Sequence, residues 1–301
     1  PKNCSGYALD RVEGGGNFNL AKLFIGSEGT LGFITSATLR VIKRPGFRSL
    51  ALFYFDSLEK AGEAVAQTLE LGPSMVEMMD RRCLEKNREA RPDLERFLPR
   101  WAEAELLVEF DGHDRAIPQS AMESLSKLLC GKHNLAAGMD IAEKTHEQQT
   151  LLAVRKAMLP LLNRLRGPRR VVSFIEDAAV PPQKLAEYIK GLYEILDGHG
   201  AEAVLFGHAG QGNLHTRPLL NLKEEDDIRR MQSISREVHH LVISMGGTVS
   251  GEHGDGMVRS EYLPKQYGPA YPVMREVKAL LDPSGHMNPG KIIDVPQGSM
   301  I

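Results

Sequence analysis

Apolar and polar positions along this chain follow two periods, and the places where the period changes mark its elements. From Ser49 onward, short apolar runs of strand length alternate with stretches whose apolar residues recur every three or four positions, the signatures of strand and of amphipathic helix. Residues 52–55 read as a strand. Ser57 is placed as an N-cap, Leu58, Ala61, Val65 and Leu69 repeat at helical spacing, and Gly72-Pro73 stops the helix. Residues 75–79 form a returning strand. A second unit has a strand at 105–110, a helix at 121–129 and a strand at 136–141. A helix over 146–165 contains Pro160 and carries Arg155-Lys156 midway; an apolar strand over 171–179 follows it. Pro181-Pro182 opens a helix bearing Leu185, Ile189, Leu192 and Leu196, which Gly198 stops. Strands at 203–206 and 213–219 bracket a glycine-rich turn. A long helix with Met231, Ile234, Val238, Leu241 and Met245 on one stripe ends at Gly246-Gly247.

Repeated strand-helix-strand units of this length predict an α+β fold of ferredoxin-like units, two of them sharing a sheet. Ahead of them the chain is glycine-rich (Gly14-Gly15-Gly16) and then apolar, with a strand predicted over 37–42 and ended by Pro45. The charged stretch 81–100, with two prolines, reads as a helical surface insertion.

Composition narrows the function classes. The 301 residues are 42% hydrophobic and 25% charged with a net charge of -2, enough to bury a large core and too nearly neutral to draw nucleic acid or an anionic membrane over long range. A small molecule is the better partner. Cys4, Cys83 and Cys130 are far apart and make no Cys-x-x-Cys pair, which favours a reducing compartment over a metal or disulfide framework. No run reaches the roughly 18 apolar residues of a membrane span, so a cytoplasmic protein is expected, with peripheral attachment at the inner membrane as an alternative. The chain opens on Pro1 inside a motif-like stretch, which suggests an excised or processed fragment.

The chemistry concentrates in two glycine loops. In Gly207-His208-Ala209-Gly210-Gln211-Gly212-Asn213-Leu214-His215-Thr216-Arg217, two histidines flank a turn between predicted strands, and a period of two puts Asn213, His215 and Arg217 on one polar face. Ser250-Gly251-Glu252-His253-Gly254-Asp255-Gly256 sets a carboxylate beside an imidazole. Two histidines and a carboxylate with open positions suit a divalent ion, either zinc or a first-row metal such as iron or manganese, so His208, His215 and Glu252 are the candidate ligands. A single histidine near glycines is usually a surface or hydrogen-bonding residue; the clustering reverses that preference here, whereas His113, His133, His146, His199, His239, His240 and His286 lack such a setting. Arg155 either pairs a substrate carboxylate or marks the wet side of its helix. Glu176-Asp177 faces the site or ends its strand. Gly26-Ser27-Glu28-Gly29-Thr30-Leu31-Gly32 offers hydroxyls and backbone N–H groups suited to a nucleotide-type cofactor, or is an ordinary turn. Neither a dinucleotide-binding Gly-x-Gly-x-x-Gly nor a P-loop is present.

Together, Leu23-Phe24-Ile25-Gly26-Ser27-Glu28-Gly29-Thr30-Leu31-Gly32, the Gly207 to His215 run, Gly251-Glu252-His253-Gly254 and the closing Leu281-Asp282-Pro283-Ser284-Gly285-His286-Met287-Asn288-Pro289-Gly290-Lys291 resemble the FAD-linked oxidases of the vanillyl-alcohol oxidase type, in the D-lactate, glycolate and D-2-hydroxyglutarate dehydrogenase branch. The resemblance implies that residues 1–48 are the remnant of an FAD-binding domain and 49–301 a substrate and metal domain. The chain by itself would then hold FAD weakly or not at all. It implies FAD-dependent oxidation of a 2-hydroxyacid to the 2-oxoacid, with His208, His215 and Glu252 on the metal, His253 as base, Arg155 on the substrate carboxylate, Asn213 near substrate or metal, and Gly26, Ser27, Glu28, Gly29, Thr30, Gly32 and Asn288 at the flavin. Gln211 stands where the family often has aspartate, and Ile175 where hydroxyglutarate-type members carry a substrate-binding lysine. Phe174-Ile175-Glu176-Asp177 looks more like large bacterial members that continue into an iron-sulfur domain, a candidate electron acceptor. A metal-dependent hydrolase and a noncatalytic ferredoxin-like module are the competing readings.

Overall fold

The computed structural model describes residues 1–14, 16–142, 144–163 and 167–299. Its main sheet is antiparallel throughout. The first unit runs β1 (Phe47–Phe55), α1 (Leu58–Leu69), β2 (Met75–Asp80), α2 (Arg81–Ala90), β3 (Ala104–Gly112), α3 (Ala116–Ser126) and β4 (Gly138–Ala142). Then follow α4 (Thr145–Asn163), β5 (Arg170–Val171), α5 (Leu185–Gly198), β6 (Ala203–His208), β7 (Asn213–Leu220), α6 (Glu225–Ser244) and α7 (Ala270–Leu281). The spatial order is β4-β1-β3-β2-β6-β7-β5. Its first four strands have the ferredoxin-like order, and β6-β7-β5 repeats the first three strands of the same pattern. The units join where Met78 and Met79 of β2 pair with Gly207 and Phe206 of β6. The shared sheet and its strand-helix units are therefore as the periodicity predicts, and Ser57 caps α1 by accepting from the Lys60 N–H.

Side-chain alternation splits the sheet between two cores. Ala51, Phe53 and Phe55 of β1 face α1, α3, α5 and α6. Leu50, Leu52 and Tyr54 face a second core with Cys83 and Leu84 of α2, Leu94 and Phe97 of the following turn, and Leu151 and Val154 of α4. The charged 81–100 insertion is thus no surface ornament: α2 and its neighbouring turn bury apolar positions on a face that a bare ferredoxin-like sheet would leave wet. A third core joins the two ends of the chain, with Tyr7, Leu23 and Leu31 packed against Val249, Tyr262, Leu263 and Met274.

Two expectations need correction, and one helix had no counterpart in the sequence reading. The strand predicted over 171–179 is one only at β5, although Phe174, Ile175, Ala178 and Val180 are buried as the apolar run implies. Val172 donates to the Pro218 carbonyl, but Pro218 has no N–H to return, so the ladder stops there. Beyond it the backbone bonds outward, Ala179 with Thr248 and Val180 to Gly212. The strand predicted over 37–42 is an extended segment outside any sheet, with Leu39, Val41 and Ile42 at least 80% exposed. The periodicity is that of a strand, but no neighbour among the described residues supplies a ladder. Helix α7 was not anticipated. The predicted end of α4 at 164–165, and Gly15, lie outside the described residues.

Candidate active site

The two glycine loops meet over the second-core face of β6 and β7. Phe206 and His215 are paired across the strands, and His208 and His215 project from the same face with ring centroids 5.3 Å apart. The turn between them is possible because Gly212 takes φ +69° and sits where a Cβ would lie 1.8 Å from the Val180 carbonyl oxygen. Gly251 passes so close to Asn213 that a Cβ would be 2.7 Å from its Nδ2. That close approach brings Glu252 and His253 over the strand ends. Nε2 of His208, His215 and His253 then stand 3.4, 3.3 and 3.5 Å from a single atom, Oε1 of Glu252.

What holds these rings decides their chemistry. Nδ1 of His215 is 2.7 Å from the Glu176 carbonyl, which can only accept, so Nδ1 carries the proton and Nε2 a lone pair. Burial lowers the His215 pKa, keeping the ring neutral. Nδ1 of His208 donates to Glu77 Oε1 at 2.5 Å, and Glu77 Oε2 accepts from Arg155 Nε at 2.6 Å. Burial would raise the Glu77 pKa, but these bonds and the Arg155 charge outweigh it and the carboxyl lies below its usual range. Both rings thus spend Nδ1 on their own partners and turn Nε2 toward one carboxylate oxygen, an arrangement that a proton or cation among them would hold together. Burial likewise works to raise the Glu252 pKa and is outweighed, chiefly by the hydrogen bond from Lys2.

The Glu252 loop hangs between two more carboxylates. Asp177 accepts from Ser250 Oγ and from the N–H groups of Glu252 and His253 at 2.5, 3.2 and 2.9 Å. Ligand atoms of Asp177, His215, Glu252 and His253 all lie within 4.8 Å of one another. The Asp177 oxygens are spent on the loop backbone, so it acts as the loop's anchor rather than as a ligand. On the other side Glu28 accepts from the N–H groups of Asp255 and Gly256 at 2.5 and 3.1 Å. Burial raises the Asp255 carboxyl to about 7, and it accepts from Ser5 Oγ and the Gly6 N–H.

The structure therefore brings His208, His215, Glu252 and His253 together and sets Arg155 one residue away, through Glu77. Other candidates make contacts within the fold. Asn213 is fully buried, and its Nδ2 donates to the carbonyls of Asp177 and Ala178, clamping the loop. Ser27 Oγ donates to Phe24 O and Thr30 Oγ1 to Ser27 O, so the hydroxyls expected at a cofactor close their own turn. Asn288 Nδ2 donates to the Glu28 carbonyl, tying the closing motif to the same turn. In that turn Gly26, Gly29 and Gly32 all take positive φ, and Gly29 is exposed with open space where a Cβ would stand. Ile175 is buried in the first core. His239 is buried and stacked on Tyr262, a structural histidine as expected. Sequence reading missed Glu77, which has no motif; its one signal is a charge in the apolar strand Met75-Val76-Glu77-Met78-Met79.

Two ferredoxin-like units thus share one sheet and carry this site on one of its faces. Residues 44–292 match the family model described as FAD linked oxidases, C-terminal domain. The chain belongs to that family. It is 33% identical to D-2-hydroxyglutarate dehydrogenase of Escherichia coli (strain K12) over 93% of its own length and 28% of the relative's. It is 32% identical to D-lactate dehydrogenase of Archaeoglobus fulgidus over 97% of its length and 59% of the relative's. Among solved structures, p-cresol methylhydroxylase with substrate bound superposes with a TM-score of 0.59 at 11% identity, covering 86% of this chain and 53% of that one. An alkyldihydroxyacetonephosphate synthase superposes at 0.58 and 19%, covering 92% and 51%. These structures share the fold. The chain spans less than two thirds of the length of each of these relatives.

Proposed function

We propose that this chain is the substrate- and metal-handling part of a flavin-dependent 2-hydroxyacid dehydrogenase, acting on a D-lactate, glycolate or D-2-hydroxyglutarate type substrate. The observation that carries it is the convergence of Nε2 of His208 and of His215, both rings fixed by their Nδ1 partners, on the Glu252 carboxylate. Such a set suits a divalent ion, zinc or iron or manganese, and a bound ion would stabilise negative charge on a substrate oxygen. Family membership and the named relatives favour oxidation over hydrolysis. Imidazoles and carboxylates accept protons but no hydride, so the acceptor is FAD, which supplies the redox chemistry when bound.

Within the chain the roles divide by geometry. Arg155, with Nε held by Glu77 and its guanidinium 4.9 Å from the Phe206 ring centre, keeps its outer Nη edge for a substrate carboxylate. His253, about half exposed, takes the 2-hydroxyl proton and passes it to solvent. Glu77, the Glu176 carbonyl and Asp177 hold rings and loop in place. We further propose that residues 1–48 belong to a flavin-binding domain. The exposed apolar strip at Phe33, Ile34, Leu39, Val41 and Ile42 has the pattern of a strand awaiting a neighbour, and the exposed Gly29 backbone offers an edge for a cofactor whose other contacts lie elsewhere in the protein. An iron-sulfur domain is the proposed electron acceptor after the flavin. No helix among the described residues is long and apolar enough to cross a membrane.

The test is the intact protein, assayed for flavin absorbance, stoichiometric metal, and dye reduction with D-lactate, glycolate and D-2-hydroxyglutarate. His208→Ala should remove the metal and the activity while leaving the flavin. A folded yellow protein that reduces dye with none of the three, or that holds no metal while active, would overturn the reading.

A further inference from the structure

The amino-terminal segment reaches into the site, and nothing above gives it a chemical part. Its backbone is clipped to both glycine loops: the Lys2 N–H donates to the Gln211 carbonyl at 3.3 Å and the Cys4 N–H to the Ser250 carbonyl at 3.0 Å. Asn3 Oδ1, between them, accepts from Thr248 Oγ1 and the Ser5 N–H. The main chain is thus held at the mouth of the site, and the one long, flexible side chain it offers there is Lys2. Lys2 Nζ lies 2.5 Å from Glu252 Oε2, the other oxygen of the carboxylate on which the three imidazoles converge. Its side chain is a quarter exposed, so the ammonium has room to leave.

A cation bound through Glu252 would displace it. Around the histidines lie two opposite pairs, Glu77 with Arg155 and Glu252 with Lys2, while the buried Asp177 carboxylate is held by the N–H groups of Glu252 and His253. A divalent ion bound through Glu252 would add two positive charges next to an ammonium that shares the same carboxylate. Like charges at that range repel, and the ammonium then needs another anion. Resting on the proposed function, the anion that arrives at this moment is the carboxylate of the 2-hydroxyacid.

We propose that Lys2 is a substrate-binding residue that shields Glu252 in the empty site and turns to the substrate carboxylate, or to the developing alkoxide beside it, once a divalent ion occupies the histidines. Together with Arg155 it would match the two negative charges of a 2-hydroxyacid losing its hydroxyl proton. Two things separate this from a static surface ion pair. Removing the ammonium frees the metal's ligand, and it costs substrate binding.

The experiment uses the intact protein and its Lys2→Met and Lys2→Arg variants, with folding checked by thermal melting. Metal affinity is read by calorimetric titration with Mn2+ or Zn2+ alone, in the absence of substrate. Lys2→Met is expected to bind the ion as tightly as the wild type or several-fold tighter. Its KM for the oxidised 2-hydroxyacid should rise about 10-fold or more, the scale of one lost hydrogen bond to a charged group, with kcat changed less. Lys2→Arg should recover most of that loss. Weaker metal binding in Lys2→Met would overturn the proposal, since the lysine would then merely hold Glu252 in place; so would an unchanged KM. A wild-type protein that binds no divalent ion at all would instead remove the metal reading itself, a result visible before any variant is compared.

Discussion

Replacing Glu77 by glutamine tests the hidden support of the site without touching any group proposed to meet metal or substrate. Glu77 joins His208 to Arg155 through two short, charge-assisted bonds, with the Glu77 and Arg155 side chains only 7% and 17% exposed. Hydrogen bonds to charged groups are worth about 1.5–3 kcal/mol each, and breaking a buried ion pair costs about 3–5 kcal/mol. Glutamine keeps one acceptor oxygen but turns an NH2 group toward the other donor. It leaves Arg155 without its counter-charge. A net loss of roughly 2–4 kcal/mol follows, read as a lower urea midpoint with unchanged slope. His208 also loses the partner that fixes its tautomer, so affinity for Mn2+ or Zn2+ should fall about 10- to 100-fold. Adding Arg155→Met to Glu77→Gln should restore part of the stability, because the stranded charge is gone, and none of the metal affinity. A single variant within about 0.5 kcal/mol of wild type and with metal affinity within a factor of about two would refute the reasoning.

Two other perturbations probe the frame around the site. Glu105 of β3 is fully buried, neither carboxylate oxygen has a hydrogen-bond partner among the described residues, and burial raises its pKa to about 8. The native state therefore keeps a proton that the unfolded chain releases near pH 4.5, and stability falls as pH rises between those values, by about 1.4 kcal/mol per unit. Urea denaturation at pH 5 and pH 8 should show Glu105→Gln nearly matching wild type at the lower pH and exceeding it by on the order of 2–3 kcal/mol or more at the higher; parallel losses in both proteins would contradict this. Gly212→Ala should cost more than about 2 kcal/mol and reduce metal binding, because it adds positive-φ strain to a Cβ placed on the Val180 carbonyl. An alanine variant with wild-type melting temperature and metal affinity would mean that the turn is not the constraint it looks.

Much of the fold and half of the site could be read along the chain, for physical reasons that particular residues show. The repeat of Leu58, Ala61, Val65 and Leu69 specifies an amphipathic helix whatever it packs on, and the N-cap at Ser57 and the stop at Gly72-Pro73 are local chemistry. His208 and His215 announced themselves because a glycine turn between two strands has few ways to fold. Glu77 did not, since its partners lie 131 and 78 positions away on other elements. The strand expected over 171–179 failed because its burial was visible in its composition, while its hydrogen-bond partners depended on Pro218 and on the 248–251 loop.

Sequence alone determined the strand and helix units, their α+β class, the two glycine loops and the residue types able to hold a metal. Periodicity, capping and glycine's backbone freedom act over a few residues, so they survive without any knowledge of neighbours. Tertiary structure decided that Nδ1 of His208 and of His215 each meets its own acceptor, that Glu77 couples His208 to Arg155, that Asn213 Nδ2, Ser27 and Thr30 make internal contacts, and that Lys2 meets Glu252 from 250 residues away. Each of these is a hydrogen bond between distant segments, and its partner exists only after the sheet has paired and the loops have closed.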